Sequence, residues 1–199
     1  MKSAMPYLGV SAPKARLVFR AWLESYPWGD AARWRGDVLA LWRGASYREE
    51  RYGALALCHH RKAKPFQTLD ALPVYDEMIV TGAWWDYVDD IATHRIRDLL
   101  QAFPTEMKRT ILRWSRDDDM WRRRSSIICQ VGLRAATDVE LLFACIQPST
   151  SSKEFFLRKA IGWSLRDLAK TDPEGVALYV KEHESELSGL SKREALKHL

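Results

Sequence analysis

Apolar residues recur along this chain at the spacing of helices rather than of strands. Trp34, Val38, Leu41 and Trp42 fall at i, i+4, i+7 and i+8, one face of a 3.6-residue period. Ahead of them, Ser11-Ala12-Pro13 opens an earlier helix whose apolar side reads as Leu17, Val18, Ala21 and Trp22. Ser46-x-x-Glu49 has the form of a capping box introducing a third helix through Cys58, and the same spacing returns at Thr137-x-x-Glu140, Ser151-x-x-Glu154 and Ser191-x-x-Glu194. Pro104 and Pro173 stand early in two further helices, where a proline's missing N–H costs nothing. Asn-Gly and Asp-Gly hairpin turns are absent and no stretch reads as a strand, so the pattern predicts an all-α protein.

Helices of this length joined by short polar turns predict antiparallel pairs stacked into a curved, irregular solenoid, with a plain helical bundle as the alternative. No strict period is visible, so any repeats are degenerate. No Gly/Ser linker or low-complexity segment divides the chain, and one helical domain over residues 1–199 is the simplest reading.

Composition removes several classes. Of 199 residues, 47% are apolar, enough for a sizeable core. No apolar run approaches the roughly 18 residues of a membrane span, and the opening Met1-Lys2-Ser3-Ala4-Met5-Pro6 lacks a leader's apolar region, so a soluble, cytoplasmic protein is expected. Cys58, Cys129 and Cys145 are widely spaced and read as small buried hydrophobes. The five histidines show no ligand spacing, so neither a metal nor another cofactor is expected. Nothing calls for more than a monomer. The net charge of +5 is mild and suits a polyanionic partner without proving one. Nine tryptophans are an unusual load, serving either the core or platforms for rings and sugars.

Three segments carry residues that core packing does not explain. In Trp84-Trp85-Asp86-Tyr87-Val88-Asp89-Asp90 the apolar face is Trp84, Val88, Ile91 and Ala92, while Trp85 sits beside Asp89 one turn away and off that stripe. The pair is either a site facing a groove or a surface indole beside a solvated acid. In Trp121-Arg122-Arg123-Arg124-Ser125-Ser126, preceded by Asp117-Asp118-Asp119, three consecutive arginines spread around the helix and cannot all pair with local acids. They form either a salt-bridged surface or a phosphate contact. In the third, Phe156, Lys159, Ala160 and Trp163 share a face, and Gly162 in mid-helix suggests close approach of a ligand or of another helix.

The three motifs W-W-D-x-V-D (84–89), W-x-R-R-x-S-I (121–127) and K-A-I-G-W-x-L-R (159–166) resemble those of the AlkD-type alkylpurine DNA glycosylases, DNA alkylation repair proteins built from HEAT-like helical repeats. Met5-Pro6-Tyr7-Leu8-Gly9-Val10-Ser11-Ala12-Pro13 is similar to that family's F-L-G-I-x-x-P segment, and Tyr52-Gly53-Ala54-Leu55 adds to the likeness. The resemblance spans essentially the whole chain and is densest over 83–170. That family carries a further helix before the F-L-G segment, whereas here only seven residues precede Leu8: either the start is placed late or this member lacks one helix of its first repeat.

The resemblance implies that Trp85 and Trp163 flank the deoxyribose of the lesion, that Asp89 is the catalytic carboxylate, and that Arg124, or Arg123 by a one-residue slip, contacts the DNA backbone. Lys159, on the Trp163 face, and Arg158 are further candidates for DNA contact. With Arg61, Lys62, Lys64 and Arg166 they could line a DNA-facing surface. The implied activity is excision of positively charged N-alkylated purines from double-stranded DNA, the damaged base remaining stacked. A cationic base is already a good leaving group, so the acid's work would be to stabilise an oxocarbenium-like sugar and orient water. The rival readings are a DNA-binding solenoid without catalysis and a protein-binding scaffold. An acid amid phosphates would weaken plain DNA binding, which favours the enzyme.

Overall fold

In the computed structural model, which describes residues 5–199, the chain forms twelve α-helices and, among the described residues, no strand. Residues 1–4, part of the start read above as free of an apolar leader, lie outside the described residues. No described helix is long and apolar enough to cross a membrane. The backbone gathers into two units, residues 1–78 and 79–199.

The first unit contains α1 (Ala12–Ser25), α2 (Ala31–Gly44) and α3 (Arg48–His59), then two 3₁₀ turns, and ends inside α4 (Leu72–Gly82). Helix α2 follows its pattern: Asp30 caps it through the Arg33 N–H, and Trp34, Val38 and Trp42 are buried. Helix α1 does not. Leu17 and Val18 are 68% and 63% exposed, while Ala15 and Leu23 are buried. The inward stripe is Ala15, Phe19 and Leu23, spaced by four, and Phe19 lies against Gly53 of α3, where a Cβ would stand 3.3 Å from its ring.

The expected capping boxes are all displaced. Helix α3 begins at Arg48, and Glu50 rather than Glu49 accepts from the backbone N–H groups of Ser46 and Tyr47. Glu49 is thereby freed to turn inward, where its buried carboxylate accepts the N–H groups of Leu8, Gly9 and Val10 at 2.9–3.1 Å. Asp138 caps at the second site and Ser188 at the fourth, while helix α10 starts from Glu154 with no side-chain cap. The cap residue lies one position on at the first two sites, three positions on at the third and three positions back at the fourth.

The second unit holds α5 (Trp85–Asp90), α6 (Arg97–Ala102), α7 (Pro104–Trp114), α8 (Met120–Ile128), α9 (Val139–Ile146), α10 (Phe155–Leu168), α11 (Pro173–Glu182) and α12 (Gly189–Ala195). Pro104 and Pro173 sit in first turns as the pattern requires. A π-helical turn, Ile91–Ile96, joins α5 to α6, a widening common beside functional sites. Helix α10 is the centre of this unit, packed against α8, α11 and α12. Leu157, Ala160, Ile161, Leu165 and Leu168 are its buried stripe, and the Ser164 hydroxyl donates to the Ile127 carbonyl of α8. All three cysteines are buried, as expected of small hydrophobes. Trp34, Trp42, Trp114 and Trp121 are core residues, so part of the tryptophan load is ordinary packing.

The Glu49 carboxylate yields a test. Burial works to raise its proton affinity, and the backbone donors outweigh that, holding it below the usual glutamate value. Its stabilisation is therefore full at neutral pH and lost as pH falls through that lowered value. Glu49→Ala should cost about 1–3 kcal/mol, and hydrogen exchange should show the Leu8, Gly9 and Val10 amides losing protection ahead of the α2 core.

Candidate active site

Trp85 is the first residue of α5 and Trp84 caps that helix from an extended conformation, which turns the two adjacent indoles in different directions. Trp84 is half-buried and meets the ring of Phe156 edge-on at 5.8 Å. Trp85 is 40% exposed. One turn on, Asp89 lies just before the π-helical turn, and its backbone carbonyl accepts from the Thr93 hydroxyl.

Asp89 faces α8. Arg124 closes on it as a fork, Nε to Oδ1 at 2.7 Å and Nη2 to Oδ2 at 2.8 Å. Nη1 of the same guanidinium donates to the Phe156 carbonyl of α10. Arg124 is only 4% exposed, so this is a charge pair taken largely out of water, where planar bidentate geometry is what makes an ion pair tolerable. Burial raises the Asp89 proton affinity above that of an ordinary aspartate, while the hydrogen bonds and charge of Arg124 pull against that rise. A guanidinium has five N–H donors, of which Arg124 spends three in these contacts.

The three arginines of the 122–124 run therefore part company. Asp119 caps α8 through the Trp121 and Arg122 N–H groups, and Arg122 pairs with Asp117. Arg123 is half-buried and lies outside the cleft described next. Of the two arginines offered by the motif, Arg124 is the one beside the carboxylate.

Helix α10 supplies the opposite wall. A cleft of about 290 Å³ is lined by Trp85, Asp89, Arg124, Phe155, Phe156, Lys159, Trp163, Arg166 and Glu194. Trp163 is half-buried there, so both indoles singled out from the sequence border the space that Asp89 faces. Lys159 lies in the cleft, whereas Arg158 turns away to donate to the Ser152 carbonyl.

Glu194 was missed in the sequence, where it served a capping box with Ser191. Ser191 instead donates its hydroxyl to the Arg158 carbonyl, and Glu194 reaches across to Lys159 Nζ at 2.9 Å and to Arg166. The available signal was Gly162. A Cβ there would lie well inside contact distance of the Glu194 Cβ and 3.0 Å from the Ser191 carbonyl oxygen, so the glycine serves the seating of α12 on α10. Gly162→Ala should destabilise by about 1–3 kcal/mol, as overpacked sites do, despite alanine's better helix propensity; thermal melting would show a loss, whereas a gain would mean α12 is loosely held.

The fork on Asp89 also predicts a titration. Arg124→Met removes the groups that oppose desolvation, so the Asp89 carboxyl should titrate at higher pH than in the parent. Following its ¹³C carboxyl signal against pH would show this directly.

Comparison with known proteins gives a consistent result. The family model for DNA alkylation repair enzymes matches residues 1–199. A search among curated proteins finds no match. Among solved structures, a predicted DNA alkylation repair enzyme from Enterococcus faecalis superposes with a TM-score of 0.86 at 28% identity, covering 97% of this chain and 88% of that one. With the family model matching from end to end, the chain belongs to the DNA alkylation repair enzyme family.

Proposed function

We propose that this protein is a DNA glycosylase that releases positively charged N-alkylated purines by hydrolysis of the N-glycosidic bond. The observation that carries the reading is the Asp89 carboxylate, oriented by Arg124 in a cleft between two accessible indoles. Family membership supports DNA alkylation repair as the setting.

An alkylated purine such as 7-methylguanine bears its own positive charge, so the base departs without a general acid. The developing charge passes to the sugar. Asp89 would stabilise that charge and could orient an attacking water. Its pairing with Arg124 fixes the carboxylate rotamer in advance, so little reorganisation is left for the reaction. The indole faces of Trp85 and Trp163 would favour the same cation by about 0.5–2 kcal/mol each. Arg124, with two N–H groups beyond those used internally, could also meet a backbone phosphate at the cleft. Lys159 is the second candidate for such a contact.

Release of free base from methylated duplex DNA tests the reading. Asp89→Asn should abolish release with little loss of DNA affinity, and uracil-containing DNA should yield nothing because its base is neutral. Salt-sensitive duplex binding with no release would place the chain among binding proteins instead. Trp163→Ala should lower the rate while the chain stays folded, since the indole borders the cleft rather than the core.

The reading also sets a pH profile. The active form is the carboxylate, and burial raises its proton affinity. Activity should fall as pH drops through the Asp89 value, and the acid limb of kcat/KM should lie above that of an ordinary aspartate. A limb at or below the ordinary value would count against Asp89 as the ionised group.

A further inference from the structure

The cleft contains a second carboxylate that the proposed chemistry does not use. Glu194 places Oε1 at 2.9 Å from Lys159 Nζ and engages Arg166 through Oε2. Both carboxylate oxygens are occupied by cations, and all three side chains line the same cleft as Asp89. The pairing holds Glu194 below the usual glutamate value.

An acid at this position is costly for a protein that binds a polyanion. Of the three cations in the cleft, Arg124 is neutralised by Asp89, and one of the remaining two charges is cancelled by Glu194. The placement is also built in. Gly162 lets α12 close on α10 at the residue that carries Glu194, and Ser191 pins the same helix to the Arg158 carbonyl. A carboxylate bound by one lysine and one arginine offers what a phosphodiester offers those residues, a delocalised anion with two acceptor oxygens.

We propose that Glu194 is an internal stand-in for a DNA phosphate. It occupies Lys159 and Arg166 in the free protein, is displaced when a backbone phosphate enters, and thereby keeps affinity for undamaged duplex low. This rests on the reading of the cleft as a DNA site. Glu194 neither touches the reacting atoms nor orients Asp89, so it acts on binding and selectivity rather than on the bond-breaking step.

The test is binding of a short unmodified duplex, followed by fluorescence anisotropy over roughly 50–200 mM salt. Glu194→Gln should tighten binding about tenfold at the low end and steepen the dependence of log K on log salt by about one unit. The gain should vanish when Lys159 and Arg166 are also replaced by methionine. A folded Glu194→Gln protein that binds no more tightly than the parent overturns the proposal. The unaltered chain supplies a second readout: the Glu194 ¹³C carboxyl signal should move on saturation with duplex, and a signal that stays in place overturns it too. The outcomes separate from those of the glycosylase reading. A chain that releases methylated base but gains nothing from Glu194→Gln loses only the stand-in, whereas a chain in which neither form binds duplex loses both.

Discussion

The site depends on a carboxylate kept charged while mostly out of water. An isolated buried carboxylate would protonate, and an isolated buried guanidinium would be worse, so each of Asp89 and Arg124 is tolerable only because of the other. The fork between them needs α5 and α8 in one relative position, and the third bond of Arg124, to the Phe156 carbonyl, ties the start of α10 to the same guanidinium. Once those helices are set, Trp85 and Trp163 border the cleft as a consequence of their helical positions. The pair is better understood as a geometric constraint than as a source of stability, since a well-packed apolar substitute would serve stability as well.

Helix α10 shows how one segment satisfies several demands at once. Its buried stripe holds the unit together, and Ser164 anchors it to α8. A different face carries Phe156, Lys159, Trp163 and Arg166 to the cleft. Gly162, a weak helix former, sits among the buried residues because α12 approaches too closely there for any side chain. The glycine and the Glu194 bridge are thus one feature, and the electrostatics of the cleft are partly decided by the packing of α12 on α10.

Chemistry-bearing spacing was readable and the capping boxes were not, for a physical reason. Trp85 and Asp89 stand one turn apart, and Lys159 and Trp163 likewise, so helical periodicity alone places each pair on a shared face. Capping depends on which of several nearby polar residues takes the cap, a choice worth about 1 kcal/mol that tertiary contacts can override. Glu49 is the clearest case: expected to close the box, it instead gathers the backbone of a segment about forty residues earlier. The inward face of α1 was misread likewise, because Leu17 and Val18 are more apolar than Ala15, yet Ala15, Phe19 and Leu23 turn inward, with Phe19 against Gly53 of α3.

By itself the sequence determined the all-helical class, the core stripe of α2, the buried state of the three cysteines and a short set of residues suited to a site. These are local matters, set by periodicity, by turn chemistry and by side-chain type. Only the tertiary structure decided that Arg124 rather than Arg123 meets Asp89, that Arg158 turns away while Lys159 faces the cleft, and that Glu194 bridges Lys159 and Arg166. The Asp89–Arg124 and Glu194 pairings join residues about thirty positions apart, and only the bond of Arg158 to the Ser152 carbonyl is local. They are fixed by burial and charge pairing between helices, and no spacing within a single helix encodes them.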